Sequence, residues 1–166
     1  MICKVGTYKL DVDVERTGGF YEAVGPALDC DCAGCRNYEK AIAALPEPIC
    51  QFLRQFGLQP EKPIEVAVCY APDKQQIVYN VFFHICGQIL EEVDPWLPAW
   101  PKKSKPNMER LVRVTEECGA HLDSDCVMLD GDFPRPAIQL DITFNLPWVL
   151  DEENPYMWPE DEHVSE

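Results

Sequence analysis

The stretch Gln76–Gln88, read as QIVYNVFFHICGQ, decides the fold. Ile77, Tyr79, Val81, Phe83 and Ile85 fall on one face of an extended chain, and Val78 and Phe82 fall on the other. Apolar residues on both faces predict a central strand covered on both sides. Upstream, Ile64, Val66, Val68 and Tyr70 alternate, and Ala71-Pro72-Asp73-Lys74 turns the chain into the central strand. Downstream, Ile138, Leu140, Ile142, Phe144 and Leu146 alternate with Gln139, Asp141, Thr143 and Asn145, a strand with one wet face. Near the start, Tyr8, Leu10, Val12 and Val14 alternate with charged residues and predict another strand, broken at Gly18-Gly19. A short helix over Phe20 to Ala23 fits before Gly25-Pro26.

Between these strands the period changes. Tyr38, Ile42 and Leu45 form one helical stripe in Ala33 to Leu45, with Arg36, Glu39 and Lys40 off it. Pro46 ends that helix. Pro48 suits the first turn of the next, because its missing N–H has no partner there anyway. Ile49, Phe52, Leu53 and Phe56 give the second stripe, and Gly57 closes it. Glu92 to Pro106 reads as a proline-rich loop, and Glu109–Glu117 with His121–Leu129 as a further hairpin. The fold class expected is α+β: a mainly antiparallel sheet of about five to six strands, with a two-helix hairpin packed on one face. Residues 1–150 form one domain on this reading. Residues 151–166 form an acidic tail, disordered toward its end, with seven acidic and no basic residues.

Composition excludes several function classes. The chain has 166 residues and is 46% hydrophobic, so it can bury a real core. Its 29 acidic and 14 basic residues give a net charge of −15. A grip on nucleic acid or an anionic membrane needs the opposite sign, so neither is expected as a partner. No secretory leader is visible in Met1 to Arg16, and no run is long enough to span a membrane; the setting expected is the cytoplasm. Phosphate-binding glycine loops, nucleophile elbows, zinc-protease helices and the deaminase pattern are missing, so the chain leans away from an enzyme.

Nine cysteines are many for a reducing compartment, where thiols or metal ligands are expected instead of disulfides. Cys3, Cys50, Cys69, Cys118 and Cys126 are scattered and read as small buried hydrophobes. Cys30, Cys32 and Cys35 are different. In Leu28-Asp-Cys-Asp-Cys-Ala-Gly-Cys-Arg-Asn-Tyr38 three sulfurs stand within six residues at a helix entrance, where free N–H groups favour thiolate. Thiolates at this spacing suit a structural Zn²⁺, which takes four tetrahedral ligands. The fourth is expected from His84 or Cys86, which share one face of the central strand. Cys32-Ala-Gly-Cys35 also matches a redox pair, against which Asp29 and Asp31 work by raising thiol pKa.

Other clusters read more plainly. Asp123, Asp125, Asp130 and Asp132 form two Asp-x-Asp pairs that suit turns, and His121 lies between Cys118 and Cys126 without signs of an oxyanion hole. Trp96, Trp100, Trp148 and Trp158 each adjoin a proline, which makes them contact anchors or lids over a core edge. Lys102–Lys105 and His163 read as solvated.

Leu28–Ala43 (LDCDCAGCRNYEKAIA), Phe52–Val66 (FLRQFGLQPEKPIEV), His84-Ile-Cys-Gly87 and Asp132–Leu150 (DFPRPAIQLDITFNLPWVL) together resemble an uncharacterised family of small bacterial proteins, mainly Gram-positive. The resemblance spans about residues 1 to 155 and implies a bacterial cytosolic setting, with no activity or site residue to carry over. The function expected is therefore an acidic bacterial or phage-borne binding protein. It would be of inhibitor or immunity type, covering a basic, nucleic-acid-binding surface of a protein partner. The alternative is a metal-dependent enzyme or thiol redox protein built on Cys30, Cys32 and Cys35.

Overall fold

The computed structural model describes residues 1–24, 28–99 and 104–157. Strands β1 (Ile2–Val5) and β2 (Tyr8–Val12) form a hairpin that leads into helix α1 (Val14–Ala23). Helix α2 (Ala33–Ala41) runs through a 3-10 turn (Ile42–Ala44) toward α3 (Glu47–Arg54). Then follow β3 (Glu65–Asp73), β4 (Gln76–Glu91), the short strands β5 (Trp96–Pro98) and β6 (Ser104–Pro106), β7 (Val112–Arg113), β8 (Gly119–Asp123) and β9 (Ala137–Pro147). Seven strands make one antiparallel sheet in the order β1-β2-β4-β9-β8-β7, with β3 also paired to β4; β5 and β6 make a separate ribbon. The class is α+β, as the alternation predicts. The sheet is wider than the five to six strands expected, and the described residues hold three α-helices. No described helix is long and apolar enough to cross a membrane.

β4 organises everything. On one side it pairs with β9 without interruption, from Gln76↔Pro147 to Cys86↔Ala137. On the other side its partner changes. β3 takes the ladder up to Phe82, and β2 takes it from Gly87 onward. The gap at Phe83–Cys86 leaves backbone groups that must be paired, because buried N–H and C=O groups cannot be left without water. α1 fills it. The Tyr21 hydroxyl donates to the His84 carbonyl (3.1 Å) and accepts from the His84 N–H (2.9 Å). The Cys86 N–H donates to Thr17 Oγ1 (2.9 Å), and the Asp13 N–H donates to the Cys86 carbonyl (2.8 Å). Where β2 joins, Gly87 is obligatory: a Cβ there would lie 2.4 Å from the Asp11 carbonyl oxygen.

This corrects the reading of Val14 to Ala23. The alternation of Tyr8–Val14 stops at Val12, because the Asp13 side chain accepts from the Arg16 N–H and caps a helix. Gly18-Gly19 lies inside α1 and breaks nothing. The helix holds because its Thr17 and Tyr21 face is fully buried against β4, and this outweighs the poor propensity of two glycines.

The core sits mainly on the Tyr79 face of β4. Ile77, Tyr79, Val81, Phe83 and Ile85 are wholly buried there beside Ile138, Leu140, Ile142, Phe144 and Leu146 of β9. Each such side chain contributes about 1.5–3 kcal/mol. Tyr38 of α2 packs edge-on to Tyr79 at 5.4 Å between ring centroids. Ile42, Leu45, Ile49, Leu53 and Phe56, from the two helical stripes, are buried in the same hydrophobic cluster, and the Gly57 N–H donates to the Arg54 carbonyl at the close of α3. On the opposite face, Phe133 covers His84 at 5.6 Å.

The segment expected to begin a tail is packed over its first residues. Asn154 is buried, Tyr156 packs against the core, and Met157 bridges Ala71. The rest of the acidic run, with Trp158 and His163, lies outside the described residues, as do Trp100, Lys102 and Lys103.

Candidate metal centre

The three clustered cysteines converge. One sulfur from each of Cys30, Cys32 and Cys35 lies within 4.8 Å of the others, and no disulfide joins them. The local sequence explains why. Cys32 is the N-cap of α2 and Cys35 its third residue, so the helix turn brings the two sulfurs to one side. The Cys35 N–H donates to Cys32 Sγ at 3.4 Å, and the Cys30 thiol donates to Cys32 Sγ at 3.3 Å. Cys30 and Cys32 are exposed; Cys35 is buried.

The electrostatics separate the three. The Cys35 N–H at the helix start holds the Cys32 thiol down to about 7, helped by the Cys30 thiol. The helix terminus therefore outweighs the burial that opposes it at this sulfur. Burial pushes the Cys35 thiol strongly up, and its two sulfur neighbours add to that. Cys32 therefore gives up its proton well before Cys35. A cation between them would draw the remaining protons off.

α2 is anchored independently of the sulfurs. Asn37, fully buried, donates to the Tyr79 hydroxyl and to the Pro147 carbonyl (both 3.1 Å) and accepts from the Val149 N–H (2.8 Å). The Tyr79 hydroxyl donates to the Gly34 carbonyl (2.8 Å), and the Gly34 N–H donates to the Tyr156 hydroxyl (3.1 Å). Gly34 is needed for that approach, since a Cβ would lie 2.5 Å from the Val68 side chain. Arg36 donates to the Asp31 carbonyl (2.7 Å) and pairs with Glu152, which ties the Cys30–Cys35 loop to the segment after β9. Sequence reasoning missed Asn37, Tyr79 and Tyr156 as supports. The one available signal was an asparagine on the apolar stripe of α2.

His84 and Cys86 are not brought to the sulfurs. Both lie on the face of β4 opposite Tyr79, whereas α2 packs on the Tyr79 face. His84 is fully buried between Phe82 and Phe133, and neither ring nitrogen has a hydrogen-bond partner. Burial lowers its pKa, opposed by the nearby Val127 backbone, Gln139 and Asp141. Cys86 is buried in the core, and burial raises its thiol. Among the described residues, no fourth His, Cys, Asp or Glu joins the three sulfurs.

The remaining candidates fall into structural roles. Asp123 and Asp130 accept from the N–H groups of Asp125 (2.9 Å) and Asp132 (2.7 Å), which makes two turns. His121 faces Asp141 at 3.7 Å, while Cys118 is buried in the core. Of the five scattered cysteines only Cys118 is fully buried; Cys3, Cys50 and Cys126 are half-buried, and Cys69 is exposed on β3. Trp148 folds back, donating to the Glu152 carbonyl at 2.8 Å, whereas Trp96 is exposed on β5. No protein-family model, curated protein or solved structure matches this chain.

Proposed function

We propose that this chain is a zinc-binding protein of the bacterial cytoplasm, holding one ion on the sulfurs of Cys30, Cys32 and Cys35. The observation that carries this reading is the convergence of three unbridged sulfurs within 4.8 Å. Zinc–sulfur bonds of about 2.3 Å place tetrahedral sulfurs about 3.8 Å apart, so little movement is needed to load the site. Soft thiolates select Zn²⁺ over Mg²⁺ or Ca²⁺. All three ligands come from one short segment, so the ion clips the entrance of α2 to itself and does not tie helix to sheet. Asn37, Tyr79 and Tyr156 hold α2 without it, which favours an ion that can be taken up and released while the fold persists. The test is metal analysis of protein purified without a histidine tag, followed by chelation. One zinc per chain is expected, removable with little change in far-ultraviolet circular dichroism. A chain that stays metal-free in excess zinc would refute the reading.

The net charge of −15 favours a second role, docking onto a basic protein partner as an inhibitor or immunity-type protein. Binding to such a partner should weaken steeply as salt rises. Salt-insensitive binding would count against it.

A further inference from the structure

Apart from the sulfur cluster, the β5–β6 ribbon and β8 line a cleft of about 580 Å³. Among the described residues, three carboxylates line it, those of Glu92, Asp123 and Asp125, against the guanidinium of Arg110 and the imidazole of His121. Arg110 is already committed. It pairs with Glu92 (2.7 Å) and Asp123 (3.8 Å), donates to the Leu122 carbonyl (3.1 Å) and lies over the Tyr8 ring. Asp125 has no ion pair among the described residues and is exposed. Lys105, paired with Leu97 on the ribbon, does not line the cleft. Among the described residues the wall is therefore net acidic, even with both Arg110 and His121 counted as cations.

The mouth is apolar. Trp96, Met108 and Leu111 line it and are 56%, 68% and 41% exposed. Trp96 stands between Pro95 and the Pro106 that faces it across the ribbon, so its ring loses little freedom on binding. An indole face attracts a cation, and the aliphatic stem of a long basic side chain covers apolar surface while its head reaches carboxylates.

We propose that this cleft receives an arginine side chain of a basic protein partner, with the guanidinium at Asp123 and Asp125 and its stem across Trp96. Charge complementarity selects this occupant: the wall already holds one guanidinium of its own by the same means, and planar bidentate pairing favours arginine over lysine. The inference rests on the docking reading above and gives that role a place.

The test titrates the full chain with a blocked peptide, acetyl-Gly-Arg-Leu-Arg-Gly-amide, and with the same peptide carrying neutral citrulline in place of arginine. Binding of the arginine peptide is expected, with at least a tenfold loss for the citrulline peptide. Asp125→Asn and Trp96→Ala should each weaken binding about fivefold, whereas the remote pair Glu22→Gln/Glu39→Gln should change it less than twofold. If all variants weaken binding in proportion to charge alone, the cleft assignment fails and the docking role survives. If neither peptide binds even at low salt, both fail.

Discussion

Cys86 and Cys118 in the core and Cys32 at the entrance of α2 have the same side chain and opposite chemistry. Cys86 and Cys118 are sealed among aliphatic and aromatic side chains, and burial pushes the Cys118 thiol up to about 12. There a thiol is a small hydrophobe. Cys32 sits at a helix N-terminus with a second sulfur 3.3 Å away, and its thiol is pulled down to about 7. The difference lies in the backbone around each sulfur. Around Cys86 no N–H is left free: those the ladder leaves are taken by the Tyr21 and Thr17 hydroxyls. The first turn of a helix offers several. Where the chain leaves N–H groups unpaired, it also prepares a site for thiolate.

The largest effect that separates the two regions is in metal content. Cys32→Ser should take bound zinc from one ion per chain to none, while the fold persists, since serine is itself a good N-cap. Mass spectrometry under native conditions reads the first, and thermal melting the second. Cys118→Ser should do the reverse, keeping the metal and losing about 2 kcal/mol in urea unfolding, the cost of burying an unpaired hydroxyl.

Tyr21→Phe probes the sheet side without touching a thiol. It removes the hydroxyl that pairs both backbone groups of His84, and should cost about 3 kcal/mol in the same assay with zinc stoichiometry unchanged. A loss well under 1 kcal/mol would mean that water replaces α1 in the gap.

The smallest effect is in pH dependence. Burial holds the His84 pKa below that of an exposed imidazole, so the unfolded chain binds the extra proton first as pH falls. Stability is then full above about pH 6.5, the ordinary imidazole value, and declines as pH drops from there toward the folded-state pKa. His84→Phe, which matches the Phe82 and Phe133 surroundings, should flatten the stability profile between pH 7 and 5. An unchanged slope would assign that slope to other groups.

Much of the sheet is legible in the sequence. The two-faced pattern of Gln76–Gln88 places β4 at the centre, and the alternation of Ile138–Leu146 gives β9. The stripes of α2 and α3 were equally readable, because each rests on local period. α1 was not, because what holds it is a gap in a ladder between residues far apart in sequence. β1 was missed as a short, mostly exposed strand without a clear pattern. At the site, spacing alone brought the three sulfurs together. The fourth ligand failed for a reason of parity. Sequence shows that His84 and Cys86 share a face, but only the packed structure shows that α2 lies on the other one.

X-ray absorption at the zinc edge tests the central claim most directly. Three sulfur scatterers near about 2.3 Å and one lighter oxygen or nitrogen neighbour are expected. Four sulfurs, or a shell of oxygen and nitrogen alone, would contradict a site built on Cys30, Cys32 and Cys35.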